Sequence, residues 1–189
     1  AIRSGVILHD RPLRDRPYVE GGGMMYRRRR SSYRLAGHDY ADSSYAYFVT
    51  LNAKIKRVAD DSQVDIRAPF TSCPALGQQA NDSLLFYRTQ GKLLIFAYCL
   101  MPDHLHILAC PQGGANLSTV LGSYQSYVTR LAWNHGVIGK LWQRSFYDHI
   151  VRQSDDAQAI VAYILNNPVK AGLVERWQDW PWCGMPDPL

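Results

Sequence analysis

Two short stretches hold the residues best suited to chemistry. In the first, Leu100-Met-Pro-Asp-His-Leu-His-Ile-Leu-Ala-Cys110, His104 and His106 stand two positions apart. A neutral imidazole is a common ligand for divalent ions, and two on one rigid strand need one more group to make a metal site. In the second, Ser154 to Lys170, Tyr163 and Asn167 are four residues apart, so on a helix one lies above the other. A phenol with a pKa near ~10 attacks at neutral pH when a cation or base helps it ionise. A phosphodiester suits this set. The phenol is a nucleophile for phosphorus, and a cation held by two imidazoles and an amide carbonyl keeps coordination positions open for phosphate oxygens. Each residue also has a plainer reading: one His a hydrogen-bonded core residue and the other at a wet sheet edge, Tyr163 at an interface, Asn167 a helix cap.

The elements that must position these groups follow from the pattern around them. Pro102 and Asp103 are turn formers, and the apolar residues after them alternate with period two, so residues 104–110 read as a strand. Successive strand side chains point to opposite faces, which puts His104, His106, Leu108 and Cys110 on one side and Leu105, Ile107 and Ala109 on the other. Residues 92–100 form the preceding strand of a hairpin, and residues 45–52, rich in aromatic and β-branched types, form another strand. A helix is expected from Ala75 to about Gln90. A second, capped by Asn116 or Ser118, runs to about Asn134 with Leu117, Val120, Leu121, Tyr124, Val128 and Leu131 at helical spacing. Residues 141–151 read as a strand or extended segment from which Arg144 and His149 could face a ligand. Ser154 caps a third helix that stops at or before Asn167, because Pro168 follows. In that helix Ala157, Ile160, Val161, Ile164 and Leu165 form the buried stripe, with Tyr163 and Asn167 on its flank. The connection 54–73 is polar and without period, and residues 169–182 suggest an aromatic clasp through Trp177, Trp180 and Trp182.

Composition limits the class. In 189 residues, 47% hydrophobic and 20% charged, there is room for one domain with a sizeable core. No apolar run approaches the roughly 20 residues of a membrane span, and the first thirty residues are too charged for a signal peptide, so a cytoplasmic protein without membrane partners is expected. Cys73, Cys99, Cys110 and Cys183 include no C-x-x-C pair, which argues against a zinc ribbon and for reduced thiols. The formal charge of +5 is concentrated at the front: residues 1–40 carry nine Arg and four acidic residues, and the remainder is balanced. The run Arg27-Arg28-Arg29-Arg30, flanked by Tyr26 and Tyr33, suits a phosphate backbone, with guanidinium groups on oxygens and aromatics on bases. The expected organisation is a disordered extension over 1–23, with Met24 or Met25 as an alternative start, a basic arm over 24–44 and a single domain over 45–189.

At this point the sequence resembles a known family. MPDHLHIL matches the histidine-hydrophobic-histidine (HUH) motif of single-strand tyrosine transposases and relaxases. With RRSSYRLAG, AYFVTLN, LWQRSFYDHIV and YILNNPVKAGLV, the stretch from Tyr26 to Trp182 is similar to the REP-associated tyrosine transposases, named for repetitive extragenic palindromes. The resemblance implies an α+β, ferredoxin-like antiparallel sheet with helices packed on one face and the two His in mid-sheet. It implies that His104, His106 and Asn167 bind a divalent metal, Mg or Mn, and that Tyr163 is the nucleophile, forming a 5′-phosphotyrosine and freeing a 3′-OH. It further implies single-stranded or hairpin DNA as partner, with Arg27, Arg28, Arg29, Arg30, Arg34, Arg144 and Lys170 along the phosphates, and a monomer or homodimer. Two rivals remain at this level: a catalytically silent DNA-binding module of the same fold, and a metal hydrolase in which water attacks.

Overall fold

The computed structural model of the chain describes residues 39–144, 146–151 and 157–189, and residues 18–20 and 23–25 as backbone. Across the expected boundary between the disordered stretch 1–23 and the basic arm, Tyr18–Glu20 (β1) and Gly23–Met25 (β2) pair as an antiparallel hairpin. The expected capping residue Ser154 lies outside the described residues, as do Arg27 to Arg30 and Arg34.

The core of the fold is a five-stranded antiparallel sheet made from Ala46–Asn52 (β3), Leu93–Leu100 (β5), His104–Pro111 (β6), Tyr147–Val151 (β8) and Cys183–Gly184 (β9), in the order β8-β3-β6-β5-β9. The hairpin β5–β6 and the strand β3 are those expected from sequence, and the His strand is central. The helices are Pro69–Ser72 (α1), Pro74–Thr89 (α2), Leu117–Trp133 (α3), Ala157–Leu165 (α4) and Asn167–Lys170 (α5). Pro74 opens α2, where its missing N–H costs nothing. Asn116 caps α3 by accepting from the Thr119 N–H, and Leu117, Val120, Leu121, Tyr124 and Val128 are buried as their spacing requires. Gly136, at φ 86°, ends the turn after α3.

Three features were not expected. The connection 54–73 contains α1 and a two-residue strand, Arg57–Val58 (β4), which pairs with Val137–Ile138 (β7). Strands this short leave no alternation to read. β9 is equally short and closes the β5 edge.

The layering also differs in detail from a single helical face. Directly paired residues of antiparallel strands share a face, so His104, His106 and Leu108 stand beside Asn52, Thr50 and Phe48 of β3, and His106 and Leu108 beside Cys99 and Ala97 of β5. Helix α4 covers this face, with Tyr163 against Phe48. Helix α2 lies on the other, where Asn81 sits against the phenol of Tyr98, the register partner of Ile107. The helices divide because both faces carry apolar residues that need cover. Core residues on the two sides include Phe48 and Leu108 on one, and Leu105, Ile107 and Ala109 on the other.

The chain end forms the aromatic clasp. The Trp180 Nε1–H donates to the Leu100 carbonyl at 2.9 Å, and the Leu100 N–H donates to the Trp182 carbonyl at 2.8 Å. Asp187 pairs with Arg88 of α2 at 2.7 Å and accepts from the Ile95 N–H at 2.8 Å. Among the described residues no helix is long and apolar enough to cross a membrane.

Candidate active site

His104 and His106 project side by side from β6, with their Nε2 atoms 3.1 Å apart. Each ring is held from behind through Nδ1: His104 by the Asp103 carboxylate at 2.7 Å, His106 by the Thr50 hydroxyl at 2.9 Å. Phe48 stacks on His106 with ring centroids 5.7 Å apart. Both Nε2 atoms are therefore turned to one point on the sheet face.

Protons along this chain of groups follow from the partners. A carboxylate accepts, so His104 donates to it from Nδ1. The Thr50 hydroxyl can donate to Nδ1 of His106 or accept from it, according to the tautomer of the imidazole. Burial, then the neighbouring His104, pushes His106 down to about 3, so it is neutral. The Asp103 carboxyl is held below the usual range, chiefly by its hydrogen bond to His104.

These residues fit a divalent ion. The two Nε2 atoms, 3.1 Å apart, are close enough that one ion would be held by both. Each Nδ1 has an oxygen partner, the arrangement that orients metal-bound imidazoles. With the His106 proton on Nδ1, where the Thr50 hydroxyl can accept it, its Nε2 lone pair would be free for an ion. Among the described residues no cluster of three or more His, Cys, Asp or Glu surrounds this point.

Tyr163 stands over the same face. Its ring centroid is 5.5 Å from that of His106 and 5.9 Å from that of Phe48. The Lys170 ammonium lies 5.3 Å from the ring centroid on its other approach. Burial pushes the phenol above its ordinary value. The phenol thus keeps its proton at neutral pH, and a cation within reach is what offsets this.

With this geometry in place, comparison with known proteins becomes informative. Residues 75–167 match the family model described as "Transposase IS200 like", a segment containing His104, His106, Tyr163 and Asn167. Over this segment the chain is similar to the IS200-like transposases. A Haemophilus influenzae protein with the provisional name REP-associated tyrosine transposase is 33% identical over 97 residues, covering 46% of this chain and 55% of that one. The Escherichia coli REP-associated tyrosine transposase is 32% identical over 88 residues, covering 46% and 51%. The chain thus spans about half the length of these curated relatives. A solved REP-associated tyrosine transposase, described as bound to a REP hairpin, shares the fold at a TM-score of 0.58 and 24% identity over 81% of each chain.

The structure joins some of the expected residues and leaves others apart. His104, His106 and Tyr163 meet. Helix α4 ends at Leu165, and Asn167 opens α5 one turn beyond the tyrosine. Its Nδ2 donates to the Tyr163 carbonyl at 2.7 Å and the Ile164 carbonyl at 3.3 Å. The amide nitrogen is used as a helix-end tie, which leaves the carbonyl oxygen as the atom for a ligand. Lys170, expected along DNA, sits on the tyrosine itself. Arg144 is exposed in a bend before β8, and His149, opposite Phe48 in the β3–β8 register, shares the site's face.

Asp103, Thr50 and Phe48 complete the site and were not read as functional. Asp103 was read as a turn residue only, although an acid directly before a paired His was a signal for a carboxylate–imidazole contact. Thr50 and Phe48 were visible only as β-formers, since nothing local in AYFVTLN shows which strand lies beside it.

Proposed function

We propose that this chain nicks and rejoins single-stranded DNA next to a hairpin, through a covalent phosphotyrosine formed by Tyr163. The observation that carries the reading is the contact of the Tyr163 ring with His106, whose Nε2 meets that of His104 on the face α4 covers. The family match and the hairpin-bound relative of the same fold support DNA as the substrate.

His104 and His106, with the Asn167 carbonyl oxygen, would hold Mg or Mn, which when bound supplies polarisation of the phosphate oxygens. Everything else falls to the chain's own residues. Asp103 and Thr50 orient the imidazoles. The Tyr163 oxygen attacks phosphorus, a new P–O bond forms, the bond to the 3′ oxygen breaks, and the phenolic proton is balanced by the one the departing 3′-OH gains. Lys170 favours the negative charge that grows on the phenol as it loses its proton, against the burial that opposes it. The phosphotyrosine keeps the energy of the phosphodiester, so rejoining to a second 3′-OH needs no ATP. Arg144 and the arm residues Arg27 to Arg30 and Arg34 would track the flanking phosphates.

The test is a labelled hairpin oligonucleotide with a single-stranded flank, incubated with the protein and Mn²⁺ or Mg²⁺ and run on a denaturing gel beside Tyr163→Phe. The expected result is a metal-dependent adduct that survives denaturation and is absent from the variant. Cleavage that persists in Tyr163→Phe would mean that water attacks. Hairpin binding with neither adduct nor cleavage would make the chain a binding module.

A further inference from the structure

Cys99 and Cys183 are register partners across the β5–β9 ladder. Antiparallel partners alternate between hydrogen-bonded and non-hydrogen-bonded pairs. The next pair along is bonded, because the Leu100 N–H donates to the Trp182 carbonyl at 2.8 Å, so Cys99 and Cys183 occupy a non-hydrogen-bonded position. At such positions Cα atoms are about 4.5 Å apart and side chains are closest, within the range of roughly 4.4–6.8 Å that a disulfide spans. Both are free thiols, and they differ in environment. Cys99 is fully buried, and the adjacent Cys183 thiol together with burial holds its own thiol well above the ordinary range; Cys183 is half-buried on the edge strand.

Their surroundings connect two parts of the site. Cys99 is the β5 partner of His106 in the sheet register. The Cys183 thiol points at the carbonyl of Leu165, the last residue of α4, at 3.9 Å. The pair therefore lies between the strand that carries the imidazoles and the end of the helix that carries Tyr163.

We propose that Cys99 and Cys183 form a reversible cross-strand disulfide on exposure to a peroxide, fastening the edge strand β9 to β5 beside the end of α4. The accessible Cys183 thiolate attacks the peroxide oxygen, giving a sulfenic acid and releasing one water once the hydroxide gains a proton. The Cys99 sulfur then displaces the sulfenic oxygen, the S–S bond forms, and a second water leaves with the Cys99 proton. Two thiols are oxidised by two electrons and one peroxide is reduced. A thiol reductant reverses the step. This inference does not rest on the transposase reading.

The experiment treats the full chain with hydrogen peroxide, blocks remaining thiols under denaturing conditions, and maps peptides without reductant. Thermal unfolding is followed in parallel with and without dithiothreitol. The expected result is a peptide pair linked through Cys99 and Cys183, absent in Cys183→Ser, present in Cys73→Ser, and accompanied by a raised unfolding midpoint that dithiothreitol restores. Recovery of Cys99 as a free thiol while Cys183 or Cys73 is oxidised would overturn the proposal. So would a linked pair that leaves the unfolding midpoint unchanged.

Discussion

At the scale of single residues, the two imidazoles differ in what holds them. His104 leans on a carboxylate that is half in water, whereas His106 is buried against Phe48 and has only a hydroxyl behind it. The hydroxyl is the more versatile partner, because it can donate to Nδ1 in one tautomer and accept from it in the other. Thr50→Val keeps the shape and removes that second role. We expect it to weaken Mn²⁺ binding about 10- to 100-fold by calorimetric titration, with Thr50→Ser restoring most of the affinity and Asp103→Asn showing a loss of similar size. Binding unchanged in Thr50→Val would mean that Nε2 of His106 does not face the ion.

The depressed pKa of His106 has a sign that can be checked. Its folded value of about 3 lies below the unfolded value near ~6.5, so between the two the unfolded chain holds a proton the folded one lacks. The stability this represents is fully present above the unfolded value and is lost as pH falls from about 6.5 towards about 3. Urea unfolding of metal-free protein should show that decline, and His106→Asn should flatten it. A wild-type profile that stays level between pH 6.5 and 4 would contradict burial of a neutral imidazole.

At the scale of elements, α2 is fixed by a contact its composition hides. Gly77 in the first turn of the helix reads as a weakness, yet a Cβ there would run into the Trp182 ring and lie 2.6 Å from the Phe70 backbone oxygen. That oxygen belongs to α1 and cannot swing aside as a side-chain tip would. Gly77→Ala should therefore destabilise the fold by roughly 1–3 kcal/mol in chemical denaturation, against the gain a helix interior normally shows for this exchange. A neutral or stabilising result would show that the clasp sits more loosely on α2 than the contact implies.

The same elements show what the sequence could and could not convey. Long, strongly periodic segments such as α3 and the β5–β6 hairpin were legible because alternation and helical spacing are local. His104, His106 and Tyr163 were legible because their spacing within a strand and a helix is local too. The short strands β4, β7 and β9 were not, since two residues carry no period and their pairing is decided by partners distant in sequence. For the same reason Thr50 could not be placed behind His106: that depends on the β3–β6 register. The helix division between two sheet faces likewise follows from packing that no single segment specifies.

At the scale of the whole molecule, the site draws on β3, β6, α4 and α5, so it exists only when the sheet and the last third of the chain are together. The sheet order puts β6 in the middle, flanked by β3 and β5, which makes the imidazole platform the best-supported part of the fold. Tyr163 comes from a nine-residue helix on one side of that platform.

The two-residue β9 and the tryptophans around it have one more consequence. Together with Asp187 they are, among the described residues, what lies along the outer side of β5, whose sequence Leu-Leu-Ile-Phe-Ala-Tyr-Cys-Leu has no charge and no proline. Bare, such a strand is a template on which other chains can pair and stack into insoluble material. Deleting residues 177–189 should make the protein sediment on concentration, as followed by light scattering, even where the imidazoles and the tyrosine are untouched. A truncated chain that stays monomeric would show that another segment shields the strand. The clasp is thus a guard against self-association as much as a piece of the fold.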